Sequence, residues 1–383
     1  MADHGTLDVL LRAARAQLGI SQAELAHRAG VTRQAVSAIE SGKAAPTMAV
    51  ALKLARVLGR RVDDLFRLVD ELPTVSAELL GSGDLSLDAS VRVQVANIGG
   101  RVIARPLTGS AGVMLTLPRA NGIIRPSQRP AGRPARQRAT QVELFADPSH
   151  LENTLVAVGC DPATSLLAEH LRRRHPTLEL AWQGGNSLQA LEAVGRGEAH
   201  LAGTHLLDPT TGQYNVPFAR RLLGPDARLV TFAVWEQGLM LAPGNPRGIE
   251  HVGDLAGSAI RIANREAGSG ARALLDAEIT RAGLKPEQVT GYSTVVRSHL
   301  AAAEAVSAGL ADAAVGVRAA ALALGLAFLP LAQERYDLAI PDRFFELAPV
   351  QALLETLTSP LFRLEVEALG GYDVSLMGTL VAA

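Results

Sequence analysis

Residues 21–42 read SQAELAHRAGVTRQAVSAIESG, and they specify two short helices joined by a tight turn. Ser21 can cap a helix whose third position is Glu24, the S-x-x-E box in which two orphan amide donors are satisfied reciprocally. Leu25, Ala26 and Ala29 share one helical face, and Gly30 supplies the conformational freedom for a sharp turn. Thr32 caps the second helix, where Val36 and Ile39 fall on the inner face. Arg33, Gln34 and Ser37 then point outward. A helix presenting Arg and Gln near its N-terminus suits the major groove, because those side chains grip base edges bidentately. The pattern is a helix-turn-helix; the bland alternative is a helical hairpin with a solvated polar face.

The flanks favour the first reading. Residues 7–18 form an amphipathic first helix through Leu7, Leu10, Leu11, Ala14 and Leu18. Pro46-Thr47 opens another helix over 48–58, and 62–66 closes a five-helix unit. The unit resembles the Cro/repressor-like, xenobiotic-response-element family, whose SQ-x-x-LA, AGV, AIE-x-G and DLF elements stand here almost residue for residue over about the first 70 positions. Gln22, Thr32, Arg33, Gln34, Ser37 and Lys43 are the residues expected to contact double-stranded operator DNA. A single recognition helix buries too little surface for useful specificity, so a homodimer is expected.

The chain has 383 residues, enough for two or three domains, and 48% hydrophobic against 20% charged residues permits a sizeable core. Net charge is -1, so attraction to nucleic acid must be local. Residues 1–70 supply ten Lys or Arg against seven Asp or Glu. Cys160 is the single cysteine, which excludes an intrachain disulfide and a cysteine-cluster zinc site. Asp3 and His4 near the start and the absence of a long apolar run speak against a signal peptide or a membrane span, so a cytoplasmic protein is expected.

From Pro73 the character changes. Residues 71–88 read as a linker, with 82–88 rich in Gly, Ser and Asp. Residues 91–95 alternate at the strand period and 101–104 continue after the Gly99-Gly100 turn. Short strands are expected at 113–117, 122–124 and 141–145, making a small β domain over 89–148. Within it, residues 119–138 carry six arginines and no acid, read as an extended solvated connector or as an arm touching phosphates. The stretch 91–124, VRVQVANIGGRVIARPLTGSAGVMLTLPRANGII, resembles the C-terminal barrel of the molybdopterin molybdenumtransferase family. The catalytic domains of those enzymes have no counterpart here.

From Leu155 strands alternate with helices, which implies a parallel sheet covered on both faces. Strands are expected at 155–159, 178–182, 199–202, 228–234, 238–242, 259–263 and 313–316, with helices at 161–174, 187–195, 271–282 and 298–308. A closing helical segment is expected over 344–367. The expected architecture is multidomain: an all-α helix-turn-helix at 1–70, the barrel-like unit, and a two-lobed α/β domain over 149–383.

Ligands of such sheets bind beyond the carboxyl ends of strands, where helix N-termini offer free amides. Four junctions carry small polar residues: Gly159-Cys160-Asp161, Gly184-Gly185-Asn186-Ser187, Gly203-Thr204-His205, and the run from Asn264 to Gly270. Each also reads simply as a turn and cap. Arg265 pairs with Glu266 or contacts ligand; His205 is a structural histidine or a ligand contact; Cys160 reads as a small buried filler, and Asp312 as a local cap. GGNSLQAL, GEAHLAGTHLLDPTTGQYN and NREAGSGAR resemble the periplasmic-binding-protein-like domain of bacterial and archaeal regulators. Transport relatives of that domain bind molybdate or tungstate through neutral hydroxyls and amides. The resemblance implies a small anionic ligand, molybdate, tungstate or a molybdopterin species, held by Asp161, Gly185, Asn186, Ser187, Thr204, His205, Arg265, Ser269 and Gly270. No nucleophile–base set or carboxylate–metal cluster stands out in the sequence. A non-enzymatic one-component regulator without catalytic, metal or cofactor residues is therefore expected. The rivals are a molybdenum-cofactor assembly enzyme carrying a DNA-binding domain, a repressor whose C-terminal domain only dimerises, and a regulator sensing an unrelated metabolite.

Overall fold

The protein is described by a computed structural model over residues 7–9, 11–41, 43–68, 73–80, 91–107, 119–125, 138–256 and 259–381. It divides into two compact units, one up to Thr74 and one from Val75 onward.

In the first unit β1 (Leu7–Val9) precedes α1 (Leu11–Gln17), α2 (Gln22–Ala29), α3 (Arg33–Glu40), α4 (Met48–Leu58), α5 (Val62–Leu65) and β2 (Phe66–Leu68). The helix expected over 7–18 is therefore shorter. Its first residues pair antiparallel with β2, Val9 opposite Phe66, so a tertiary ladder overrides the local helical period. The same ladder ends α5 one residue before the expected Phe66. Leu11, Leu25, Val36, Leu54 and Leu65, all fully enclosed, form this unit's core.

The second unit begins with a closed barrel of β3 (Thr74–Leu79), β4 (Val91–Ile98), β5 (Arg101–Pro106), β6 (Gly122–Ile124) and β7 (Arg138–Leu144). β3 lies inside the stretch read as linker. β4 and β5 meet through Gly99 and Gly100, whose φ values of 60° and 82° need glycine. The strand expected at 113–117 and the connector at 82–88 lie outside the described residues, as does most of the arginine-rich segment. Ala96, Ile98 and Ile103 join the core of the following α/β domain, so the barrel is packed onto it. His200 is the polar tie. Its Nδ1 accepts from the Val156 amide at 2.9 Å and its Nε2 lies 3.1 Å from the Asn97 carbonyl.

The α/β domain runs β8 (Thr154–Gly159), α6 (Thr164–Arg174), β9 (Glu179–Gly184), α7 (Ser187–Gly195), β10 (Leu201–Thr204), α8 (Val216–Leu223) and β11 (Arg228–Leu241). It continues with β12 (Ile262–Arg265), α9 (Gly270–Arg281), β13 (Val295–Val296), α10 (His299–Ser307), β14 (Ala313–Val317), α11 (Arg318–Ala323) and β15 (Ala327–Ile340). Helices α12 (Asp342–Phe345), α13 (Ala348–Leu357) and α14 (Pro360–Ala368) and strand β16 (Tyr372–Asp373) close it. The sheet order is β13-β12-β14-β11-β15-β10-β8-β9, with β16 beside β11.

This makes a two-lobed α/β fold of the periplasmic-binding-protein-like kind. β8, β9 and β10 run parallel in one lobe, and β12, β13 and β14 in the other. The antiparallel pair β11 and β15 belongs to both lobes. The two short strands expected at 228–234 and 238–242 are thus one 14-residue strand, and β15 was not anticipated. The polar run Glu236-Gln237-Gly238 hides the continuity of β11, and Pro330, Glu334, Arg335 and Asp337 hide that of β15. A register shift sits at Gln237/Gly238. There the backbones approach so closely that a Cβ on Gly238 would meet the Leu329 carbonyl oxygen at 2.1 Å.

Candidate functional site

The helix-turn-helix is built by its caps. Ser21 Oγ accepts from the Glu24 amide at 3.1 Å and Thr32 Oγ1 from the Ala35 amide at 3.1 Å. Only that half of the expected capping box forms, because the Glu24 carboxylate instead takes Arg28 Nε at 2.7 Å. Gly30 turns the chain at φ 60°, ψ 44°. Val36 and Ile39 are buried, whereas Thr32, Arg33, Gln34, Ser37 and Lys43 are exposed. Gln22 is half-buried and donates to Glu40 Oε2 at 2.8 Å, alongside Arg15 Nε on Oε1 at 2.6 Å. Glu40 therefore locks the start of α2 against the end of α3, and burial raises its carboxyl less than these partners lower it.

The second site lies where the two lobes meet. The junctions after β8 and β10 meet β15 and β11 around His205, and those after β9 and β12 meet each other and His205. Asn186 caps α7 through Gln189 and sends its Nδ2 across to the Ala267 carbonyl at 3.3 Å, so the lobes are closed on each other. Gly270 is required at this seam: a Cβ there would strike His205 Nδ1 at 2.4 Å.

Behind the seam is a buried polar cluster. His205 Nδ1 lies 2.8 Å from Glu334 Oε2, Gln237 Nε2 lies 3.1 Å from the same ring nitrogen, and Gln237 also bonds Glu334. His205 Nε2 is 3.4 Å from Cys160 Sγ. Burial lowers the His205 pKa, but the Cys160 and Glu334 partners outweigh it and raise it to about 10. Trp235, Tyr336 and His299 pack their rings around His205, the first at 4.9 Å between centroids. Arg265 is fully buried, with Nη1 3.1 Å from His299 Nδ1 and Nε 3.2 Å from Glu266 Oε2. Burial, then Arg265, holds His299 well below the ordinary imidazole range and so neutral. Asp161 accepts from Tyr372 Oη and the Ala163 amide, both at 2.7 Å, yet burial pushes it up to about 6.

Several of these groups keep bonding capacity in reserve. Among the described residues, Trp235 Nε1, Arg265 Nη2, His299 Nε2 and Tyr336 Oη are buried without a hydrogen-bond partner, as are Asp161 Oδ2 and Gln237 Oε1. His299 Nδ1 accepts from Arg265, which leaves the proton on Nε2 and makes it a donor. The reserve is thus mainly donors, and such orphaned atoms cost free energy unless something occupies them.

The structure brings Asp161, Asn186, Ser187, Thr204, His205, Arg265, Ser269 and Gly270 together at the seam, with Gly185, next in the chain to Asn186, packed against Val158. The hydroxyls serve the fold directly. Ser269 caps α9 through the Arg272 amide, Ser187 Oγ accepts from the His205 amide, and Thr204 Oγ1 donates to Asn215. Asp312 pairs with Arg247 and Arg261 away from the seam. Sequence reading missed Trp235, Gln237, Glu334, Tyr336 and His299, and took Cys160 for a filler. None of these sits in a Gly- or Ser-rich junction, the signal that marked the others; Cys160 does, but its partner is 45 residues away. Surface pockets beside His251 and Arg281, and beside Arg228 and Asp342, lie elsewhere and gather none of the orphaned atoms.

Comparison with known proteins finds matches to two separate parts of the chain. Residues 11–65 match the helix-turn-helix family and residues 168–358 the PBP superfamily domain. The uncharacterized protein YvgK of Bacillus subtilis is 35% identical over 62% of this chain and 76% of its own length. An HTH-type transcriptional regulator of Methanothermobacter thermautotrophicus is 46% identical over 16% of this chain and 90% of its own. Among solved structures, the sulfate-binding protein SubI from Mycobacterium tuberculosis is 17% identical, covering 57% of this chain and 85% of SubI at a TM-score of 0.44. PhnD1 from Prochlorococcus marinus, solved with methylphosphonate, is 13% identical over 61% and 93% at 0.42. Among the described residues no helix is long and apolar enough to cross a membrane. The chain belongs to one family with YvgK, and it is a DNA-binding helix-turn-helix transcriptional regulator that carries a PBP-superfamily ligand-binding domain.

Proposed function

We propose that the cleft between the lobes senses a small oxyanion and that its closure sets the affinity of a homodimer for an operator in the cytoplasm. The observation that carries the reading is the set of buried, unpartnered donors around Arg265 Nη2, with Trp235 Nε1, His299 Nε2 and Tyr336 Oη. A ligand rich in acceptor oxygens satisfies such a set, and a fixed guanidinium supplies the charge match. Because these atoms are enclosed, entry requires the lobes to part, and β11 and β15 are the elements that join them. Binding can shift operator affinity only by its preference for one lobe arrangement, typically about 1–3 kcal/mol.

Molybdate or tungstate, free or as a molybdopterin species, is the proposed ligand class. Its support is the donor-rich seam together with the molybdenumtransferase-like sequence of residues 91–124. Isothermal calorimetry on the full chain with molybdate, tungstate, sulfate and phosphate tests it. Binding of molybdate or tungstate in preference to sulfate and phosphate is the expected result. No heat from any of the four at high micromolar concentration defeats the oxyanion reading.

A further inference from the structure

Cys160, the chain's single cysteine, stands in a three-part arrangement that the anion-sensing reading does not use. Its Sγ is 3.4 Å from His205 Nε2, and His205 Nδ1 is 2.8 Å from Glu334 Oε2. Gln237 also bonds Glu334, and that carboxylate is nearly enclosed. This is the geometry of a nucleophile, a base and a group that orients the base. Cys160 is only half-buried, so a small molecule in the opened cleft reaches it. Tyr336 Oη, buried on β15, faces the backbone of Cys160 and Asp161.

The cluster has a second reading as a metal site, since ligand atoms of Cys160, His205 and His299 lie within 4.8 Å of one another. The chemistry around His299 opposes it. Arg265 places a cation 3.1 Å from His299 Nδ1, and the remaining nitrogen then carries a proton rather than a free lone pair. Cys160 and His205 need no third ligand to act on each other.

We propose that Cys160 is an activated nucleophilic thiol, the site at which soft electrophiles that enter the cleft modify this protein. The thiol proton passes to His205 Nε2, and the Glu334 carboxylate holds the resulting imidazolium in place. The sulfur lone pair then forms the bond to the electrophilic carbon while the leaving group departs with its electron pair, and the proton stays on His205. Every charge near the sulfur bears on this transfer. His205 and Glu334 favour it. Arg265, behind His299, adds positive charge, whereas the Asp161 carboxyl opposes the thiolate. Tyr336 and Tyr372 are held in their neutral forms by burial above all.

The single cysteine makes the test clean, because iodoacetamide can label the full chain at one sulfur, followed by intact-mass spectrometry. An ordinary thiol with a pKa of about 8.5 would label roughly 75-fold faster at pH 8 than at pH 6. The expected wild-type change is less than about threefold, because proton transfer to His205 leaves the sulfur nucleophilic at both pH values. His205→Gln should restore the steep profile, and Glu334→Gln should restore part of it. The shape of the wild-type profile decides the matter even if neither variant folds. A steep wild-type profile overturns the proposal. So does labelling that begins only after a chelator is added, which would assign the sulfur to a metal. Both outcomes are independent of whether molybdate or any other anion binds.

Discussion

His205 Nδ1 sits 2.8 Å from Glu334 Oε2, and the two residues, 129 positions apart in sequence, come from the loop after β10 and from the neighbouring strand β15. Burial by itself would strip His205 of its proton; its partners keep the proton and raise the pKa to about 10 from 6.5. A native pKa above the unfolded one means the contribution is complete below about pH 6.5 and is lost as pH climbs towards about 10. Glu334→Gln should therefore flatten the fall in urea midpoint across that window relative to wild type. Parallel slopes for the two proteins would show that the pair does not hold the proton.

His200 carries the opposite sign. Burial lowers it to about 4, so it stays neutral while bridging the barrel and the first lobe. The unfolded chain takes up a proton near pH 6.5 that the native protein refuses until about pH 4. Stability should consequently fall on acidification between those values. In His200→Gln that acid-side slope should be shallower, as read from thermal melts; an unaltered slope removes His200 from the account.

Gly238→Ala tests the crossing of the lobes. Its new Cβ would lie 2.1 Å from a backbone oxygen of β15, which cannot yield as a side-chain tip can. Overpacking of this kind costs about 1–3 kcal/mol. Chemical denaturation should show that loss in the α/β unit while the helix-turn-helix keeps its own transition. A variant as stable as wild type would mean that the strands are not tied there.

Arg33→Ala and Gln34→Ala should each weaken binding to a selected operator by about 1–3 kcal/mol, read by fluorescence anisotropy, with ligand heats unchanged. Both side chains are exposed on α3, so neither substitution should move the melting temperature appreciably. Loss of ligand heat in either variant would break the division of labour between the units.

Arg265→Ala and Ser269→Ala separate two roles at one loop. Removing Arg265 should cost at least about tenfold in molybdate or tungstate affinity, since a charge-assisted bond to a buried anion exceeds 1.4 kcal/mol. Removing Ser269 takes away the α9 cap, for roughly 0.5–2 kcal/mol of stability. Full retention of anion affinity in Arg265→Ala would take the guanidinium out of the site.

The sequence alone determined what local rules govern. Ser21, Gly30, Thr32, Val36 and Ile39 act over three or four positions, so the helix-turn-helix was readable as soon as the cap-and-turn spacing was seen. The strand-to-helix junctions were readable for the same reason, because each glycine or cap serves the turn beside it. Tertiary structure alone decided the rest. Leu7–Val9 became a strand because Phe66–Leu68 was there to pair with it. β11 and β15 run unbroken through Gln237, Glu334 and Asp337 because those side chains find buried partners far away in sequence, Gln237 with Glu334 and Asp337 with Asn215, an event no local period encodes. The meeting of Cys160, His205, Arg265, His299 and Glu334 likewise depends on contacts spanning tens to more than a hundred residues. Propensity and capping act along the chain, whereas a buried polar site is assembled across it. Only the closed sheet shows which polar residues are paired and which are left waiting.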